Sequence, residues 1–115
     1  MKALFIVLNQ ESYLEDILLA FVELGVKGGT IVDSKGMAGA MIQVEKRVSF
    51  FGALKNAFET AQPFNKTIFT VIDNDQLLER VVSRIHLMFA DIKGPGFGFM
   101  FAVPVDGVWP LGKHK

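Results

Sequence analysis

The side chains that could do chemistry are few. Glu15-Asp16 and Asp73/Asp75 are closely spaced carboxylates, the arrangement that acid–base catalysis can use. Both pairs stand at predicted helix starts, where the helix dipole and capping favour negative charge, and capping accounts for them better than catalysis. His86 has no second His and no carboxylate pair at metal-ligand spacing, so it reads as a solvated or partly buried structural side chain. His114 is next to the last residue and is expected to be mobile. With no Cys and no G-x-S-x-G, neither a thiol nor an elbow serine supplies a nucleophile. These residues predict a protein that is not an enzyme, with no catalytic residue and no metal site.

Two further stretches invite a ligand. Gly94-Pro95-Gly96-Phe97-Gly98 is glycine-rich but lacks the G-K-[ST] of a phosphate loop. It leads into a strand, so no helix N-terminus receives an anion, and a tight turn explains the Pro-Gly step. Phe50, Phe51, Phe58 and Phe64 could stack on bases, but only Lys46, Arg47 and Lys55 are near them. Nucleic-acid binding needs more interleaved positive charge, so a protein-facing or core-facing aromatic cluster is expected.

The whole chain agrees with that reading. Twelve basic and twelve acidic residues cancel, so no global field draws it to nucleic acid or anionic lipid. Half of its 115 residues are hydrophobic, enough for one domain with a real core. The apolar run Ala3–Leu8 is shorter than a signal-peptide core and reads as a buried strand. No apolar run is long enough to span a bilayer. The lack of Cys agrees with a reducing compartment, and the cytoplasm is the expected location.

The elements that must position any site follow from periodicity. Ala3–Leu8 is a first strand. Ser12 with Glu15 predicts a capping box, and Leu14, Ile17, Leu18, Phe21 and Leu24 mark a helix over 13–24 ended by Gly25. Thr30–Lys35 is a second strand after the Gly28-Gly29 turn. A glycine-bearing loop follows, then a short helix over Ser49–Ala61 stopped by Pro63. Thr67–Ile72 is a third strand. Asp73-Asn74-Asp75 supplies the N-cap candidates, with Gln76 three residues after Asp73, of a helix carrying Leu77 to Phe89. Phe99–Val105 is a fourth strand, and a loosely structured tail ends the chain.

This order predicts an α+β domain spanning 1–115: a ferredoxin-like βαββαβ sandwich, with a four-stranded antiparallel sheet and two helices on one face. Such a sheet should alternate apolar and polar residues if its second face is wet. Ala3–Leu8, Ile68-Phe69, Val71-Ile72 and Phe99–Val103 are instead apolar at successive positions. Something must cover the second face. The candidates are residues 36–65 or another subunit, and subunits are favoured.

Two stretches carry a resemblance. Gly25-Val26-Lys27-Gly28-Gly29-Thr30-Ile31-Val32-Asp33-Ser34-Lys35-Gly36-Met37 resembles the G-[IV]-x-G-[MF]-T-[VI]-x-x-[VS]-[KR]-G-[FM] segment of the PII (nitrogen regulatory) signal-transduction family. Gly96-Phe97-Gly98-Phe99-Met100-Phe101-Ala102-Val103-Pro104-Val105-Asp106 is similar to its G-D-G-K-I-F-V-x-P-V-x strand entry. The resemblance implies a homotrimer, nucleotide sites in clefts between subunits, and a target-binding loop after the second strand. It places ligand contacts at Thr30, Gly36, Met37, Gly96 and Gly98.

The departures fall on charge. Phe97 and Phe99 stand where the family has the Asp and Lys of G-D-G-K, and Pro110 and Gly112 stand near its R-x-R arginines. The Arg after the G-F-G step falls among Ala38, Gly39 and Ala40. Phosphate recognition rests on such charge-assisted contacts, so an adenine nucleotide is expected to bind weakly and no cofactor is assigned.

The resulting expectation is a PII-like regulatory protein. It would sense a small ligand between subunits and regulate a protein target, such as a transporter or metabolic enzyme, through 37–65. Met41, Ile42, Phe50 and Phe51 are the partner-binding candidates, because Met and Phe are favoured at interfaces. Nucleic acid and membrane insertion are not expected. The alternatives are a trimeric interaction protein without nucleotide and a small ferredoxin-like enzyme with an apolar cavity.

Overall fold

The computed structural model describes residues 1–34, 65–92 and 97–112. Strand β1 (Lys2–Leu8) leads through a 3-10 turn (Glu11–Tyr13) into helix α1 (Leu14–Leu24) and strand β2 (Thr30–Asp33). Strand β3 (Lys66–Ile72), helix α2 (Asp75–Met88) and strand β4 (Gly98–Pro104) complete the described elements. The sheet order is β2-β3-β1-β4, and every neighbouring pair is antiparallel. This is the expected α+β, ferredoxin-like arrangement. The predicted helix over 49–61 lies outside the described residues, as does His114.

Register sorts each strand into two faces. Leu4, Ile6 and Leu8 of β1 and Ile68 and Ile72 of β3 point toward the helices and are buried with Ile17, Phe21, Val81 and Ile85. Leu4, Ile17, Ile68 and Val81 are wholly enclosed. Burying each such side chain contributes about 1.5–3 kcal/mol relative to exposure. Thr70 is a polar residue on this buried face, and its hydroxyl is satisfied by donating to the Gly28 carbonyl.

One predicted cap is corrected and the other falls on one of its candidates. Ser12 and Glu15 form no capping box: a 3-10 turn precedes α1, whose N-cap is Tyr13 with no side-chain cap. The turn places Ser12 one position too early to receive the helix N–H groups. At α2 the cap is Asn74, one of the three candidates; its Oδ1 accepts from the Leu77 N–H at 2.6 Å. Gly25 ends α1 as expected, at φ 93°, with Val26 N–H donating to the Phe21 carbonyl at 2.8 Å.

β2 is shorter than predicted. It stops at Asp33, and Ser34 and Asn65 hold together the two chain ends that flank residues 35–64. Ser34 N–H donates to the Asn65 carbonyl at 2.7 Å, and the Ser34 hydroxyl donates to Asn65 Oδ1, also at 2.7 Å. Asn65, only 5% exposed, donates onward from Nδ2 to Asn9 Oδ1 at 3.1 Å. Thr67 Oγ1 lies 3.0 Å from the Ser34 hydroxyl. Beside this clasp Lys66 pairs with Asp33, whose hydrogen bond holds the Lys66 ammonium above its ordinary pKa.

Candidate functional site: an open aromatic sheet face

The residues that alternate with the core positions all lie on the face opposite the helices. Phe5 is in register with Phe69 on one side and Phe101 on the other, and Thr30 of β2 pairs with Phe69 at the end of that row. The next row is Val32, Thr67, Val7 and Phe99; a third contains Val71, Ala3 and Val103. No charged side chain stands in these rows, and their only polar groups are two threonine hydroxyls. An antiparallel face meant for water would carry polar residues at these positions.

The aromatic rings occupy the middle of the face. Phe5 and Phe101 stack at a centroid distance of 4.9 Å with 3° between planes, and Phe5 meets Phe69 at 5.5 Å. Phe99 extends the array, 6.1 Å from Phe101. Offset and tilted pairs at these distances are attractive in themselves. Phe99 is nevertheless 61% exposed and Phe101 44%. Taking four strands at their usual spacing and about seven residues of length, the face covers about 400 Å². That is in the size range of the largest apolar patch on a typical monomer, which is often functional.

Gly98 determines where this face ends. Its φ is 132°, and a Cβ there would lie 1.9 Å from the Val7 carbonyl oxygen. Only glycine fits so close an approach of two backbones at that angle. The turn at Gly98 also sends neighbouring side chains to opposite sides. Phe99 joins the open face, whereas Phe97 packs on the helix side against Phe89 and Tyr13, at 6.0 and 6.1 Å. The Asn9 N–H donates to the Phe97 carbonyl at 3.0 Å and anchors the turn.

Of the ligand-contact candidates, Thr30 and Gly98 are described, and they are not together. Thr30 is on edge strand β2 and Gly98 on the opposite edge strand β4, with β3 and β1 between them. Three strand spacings put them about 14 Å or more apart, so a small ligand cannot touch both in one copy. Gly36, Met37, Gly96, Met41, Ile42, Phe50 and Phe51 lie outside the described residues. The aromatic row was not legible as a row in the sequence, because only register shows that Phe5, Phe69 and Phe101 are neighbours. The signal that pointed to it was strands apolar at successive positions.

Among the described residues no group of three His, Cys, Asp or Glu could hold a metal ion, and no helix is long and apolar enough to cross a membrane. Glu15 and Asp16 fall in the first turn of α1 and Asp75 in the first turn of α2, where the helix dipole favours negative charge, but none of them caps its helix; Asp73 precedes the α2 cap. His86 is exposed in the last turn of α2. Comparison with protein-family models and with curated proteins finds no match.

Proposed function

We propose that this chain is a PII-like regulatory binding protein that works as a homotrimer, burying the open sheet face between copies. A small ligand is held in the clefts so formed, and a protein target is regulated through residues 37–65. The observation that carries the reading is the Phe5–Phe69–Phe101 row on a sheet face that neither described helix covers. An uncovered face of this composition is stabilised by a second apolar surface, and identical copies supply one in closed symmetric assemblies. The separation of Thr30 from Gly98 agrees with a cleft that needs two copies, because one copy's β2 edge can meet another's β4 edge. The role of 37–65 rests on its sequence alone.

A second reading is favoured by one observation. Phe97 is used in packing against Tyr13 and Phe89, and Phe99 in the aromatic array, so neither position serves a phosphate. The protein is then a trimeric interaction protein without a nucleotide.

The test is a thermal-shift ligand screen on the wild type and on Phe101→Lys. A ligand of the native state raises the melting temperature by mass action. A ligand bound between copies stabilises the wild type and leaves the unassembled variant unshifted. An equal shift in both would place the ligand within one copy and refute the cleft. Silence across nucleotides and small metabolites would favour the second reading.

A further inference from the structure

The helix side of the sheet holds a second feature. Among the described elements, helix α2 packs mainly over β1 and β3, the two central strands, with edge strand β4 to one side. On that side Gly98 is in register with buried Leu8 and carries no side chain, and Gly98 cannot be replaced by a larger residue without meeting the Val7 carbonyl. A half-open groove of about 170 Å³ lies between α2 and β4. Its walls are Ile6, Leu8, Ile85, Phe89, Phe97 and Met100, and the polar side chain on its lining is the exposed His86.

These features define a ligand class. The walls are aliphatic and aromatic, and the Phe89 and Phe97 rings stand 6.0 Å apart at one end with Tyr13 behind them. An engineered apolar cavity of about 150 Å³ stays dry and takes up benzene or xenon. A groove of similar volume here has room for one six-membered ring. Small-molecule sites are mostly apolar with a few polar groups that fix orientation, and here the imidazole of His86 supplies one. We infer that the groove between α2 and β4 binds a single-ring aromatic molecule bearing one hydroxyl, with the ring among Ile6, Ile85, Phe89 and Met100 and the hydroxyl toward His86. The site is on the helix side of the sheet, with Val7 and Phe99 also on its lining.

The test is a titration of the full chain with p-cresol and with toluene, followed by amide chemical shifts. Both probes should shift Ile85, Gly98 and Met100 saturably. Met100→Trp, which fills the groove from a half-buried edge position, should abolish both effects. His86→Ala should weaken p-cresol by about tenfold, the order of one hydrogen bond, and leave toluene unchanged. Absence of saturable shifts at those amides would overturn the site, and so would binding that survives Met100→Trp. Equal losses for both probes in His86→Ala would overturn the hydroxyl assignment. If Met100→Trp does not fold, xenon in the wild type decides: it should occupy this groove, and an empty groove contradicts the proposal.

Discussion

The rings of Phe5 and Phe101 lie 4.9 Å apart and nearly parallel on the sheet face opposite the two described helices. Their strands are neighbours, so the stack is built into the register. A pair of this kind contributes about 0.5–1.5 kcal/mol beyond its area when packed. In an isolated copy Phe101 remains 44% exposed, and much of its apolar surface still faces water. The account of this protein rests on what closes over that pair.

The glycines separate two kinds of constraint. Gly25 has φ 93° with open space around the missing Cβ, whereas Gly98 has φ 132° and a carbonyl oxygen in the way. Gly25→Ala should cost about 1–2 kcal/mol, the left-handed penalty alone. Gly98→Ala should cost more, about 3 kcal/mol or above, since strain and overlap add. Urea unfolding of both variants checks the order, and equal costs would show that β4 relaxes freely away from β1.

Asn65 joins the ends of β2 and β3 to Asn9. Asn65→Ala removes a buried amide that accepts from Ser34 and donates to Asn9, and should destabilise the fold by about 1–3 kcal/mol. Asn65→Asp keeps the acceptor for Ser34 and should lose less. Equilibrium denaturation measures both, and an unchanged stability for Asn65→Ala would mean that the clasp adds nothing to the hairpin.

ATP should bind far more weakly than the PII resemblance alone implies. Each charged hydrogen bond absent from a phosphate site is worth about 1.5–3 kcal/mol, and losing two or three lowers affinity by several orders of magnitude. By that resemblance Phe97 and Phe99 stand at two such positions, and both pack against other rings. Titration calorimetry should find no ATP site of low-micromolar affinity. Finding one would show that other groups hold the phosphates.

Much of this was legible from residue types. The four strands, the two helices and the apolar character of the second face followed from periodicity, because Leu4, Ile6 and Leu8 alternate with Phe5 and Val7 and both sets are apolar. The caps were less legible. Ser12 has the right type, but the 3-10 turn at Glu11–Tyr13 moved that cap to Tyr13, and at α2 the run Asp73-Asn74-Asp75 contained the cap without singling out Asn74. The groove beside Gly98 was not legible at all. It depends on where α2 sits across the sheet, which local sequence does not encode.

Trp109 offers an internal reporter. It is the chain's only tryptophan, lies beyond β4 and is 79% exposed, with Val108 and Leu111 also open to solvent. A stable interface buries about 800 Å² on each partner, roughly twice the area of the open face. The apolar segment that follows β4 is adjacent surface that can make up the difference. Trp109 emission should therefore shift to the blue as protein concentration rises through the assembly range. A red, concentration-independent emission from assembled protein would exclude the segment from the interface.

The most direct measurement is the mass of the protein in solution, by light scattering on a sizing column at micromolar concentration. The account predicts three times the 12.7 kDa chain mass for the wild type. Phe101→Lys places a charge in the aromatic row and should return the protein to the single-chain mass with its far-UV circular dichroism unchanged. A wild type that elutes as a clean 12.7 kDa monomer would contradict the assembly of copies through the open sheet face.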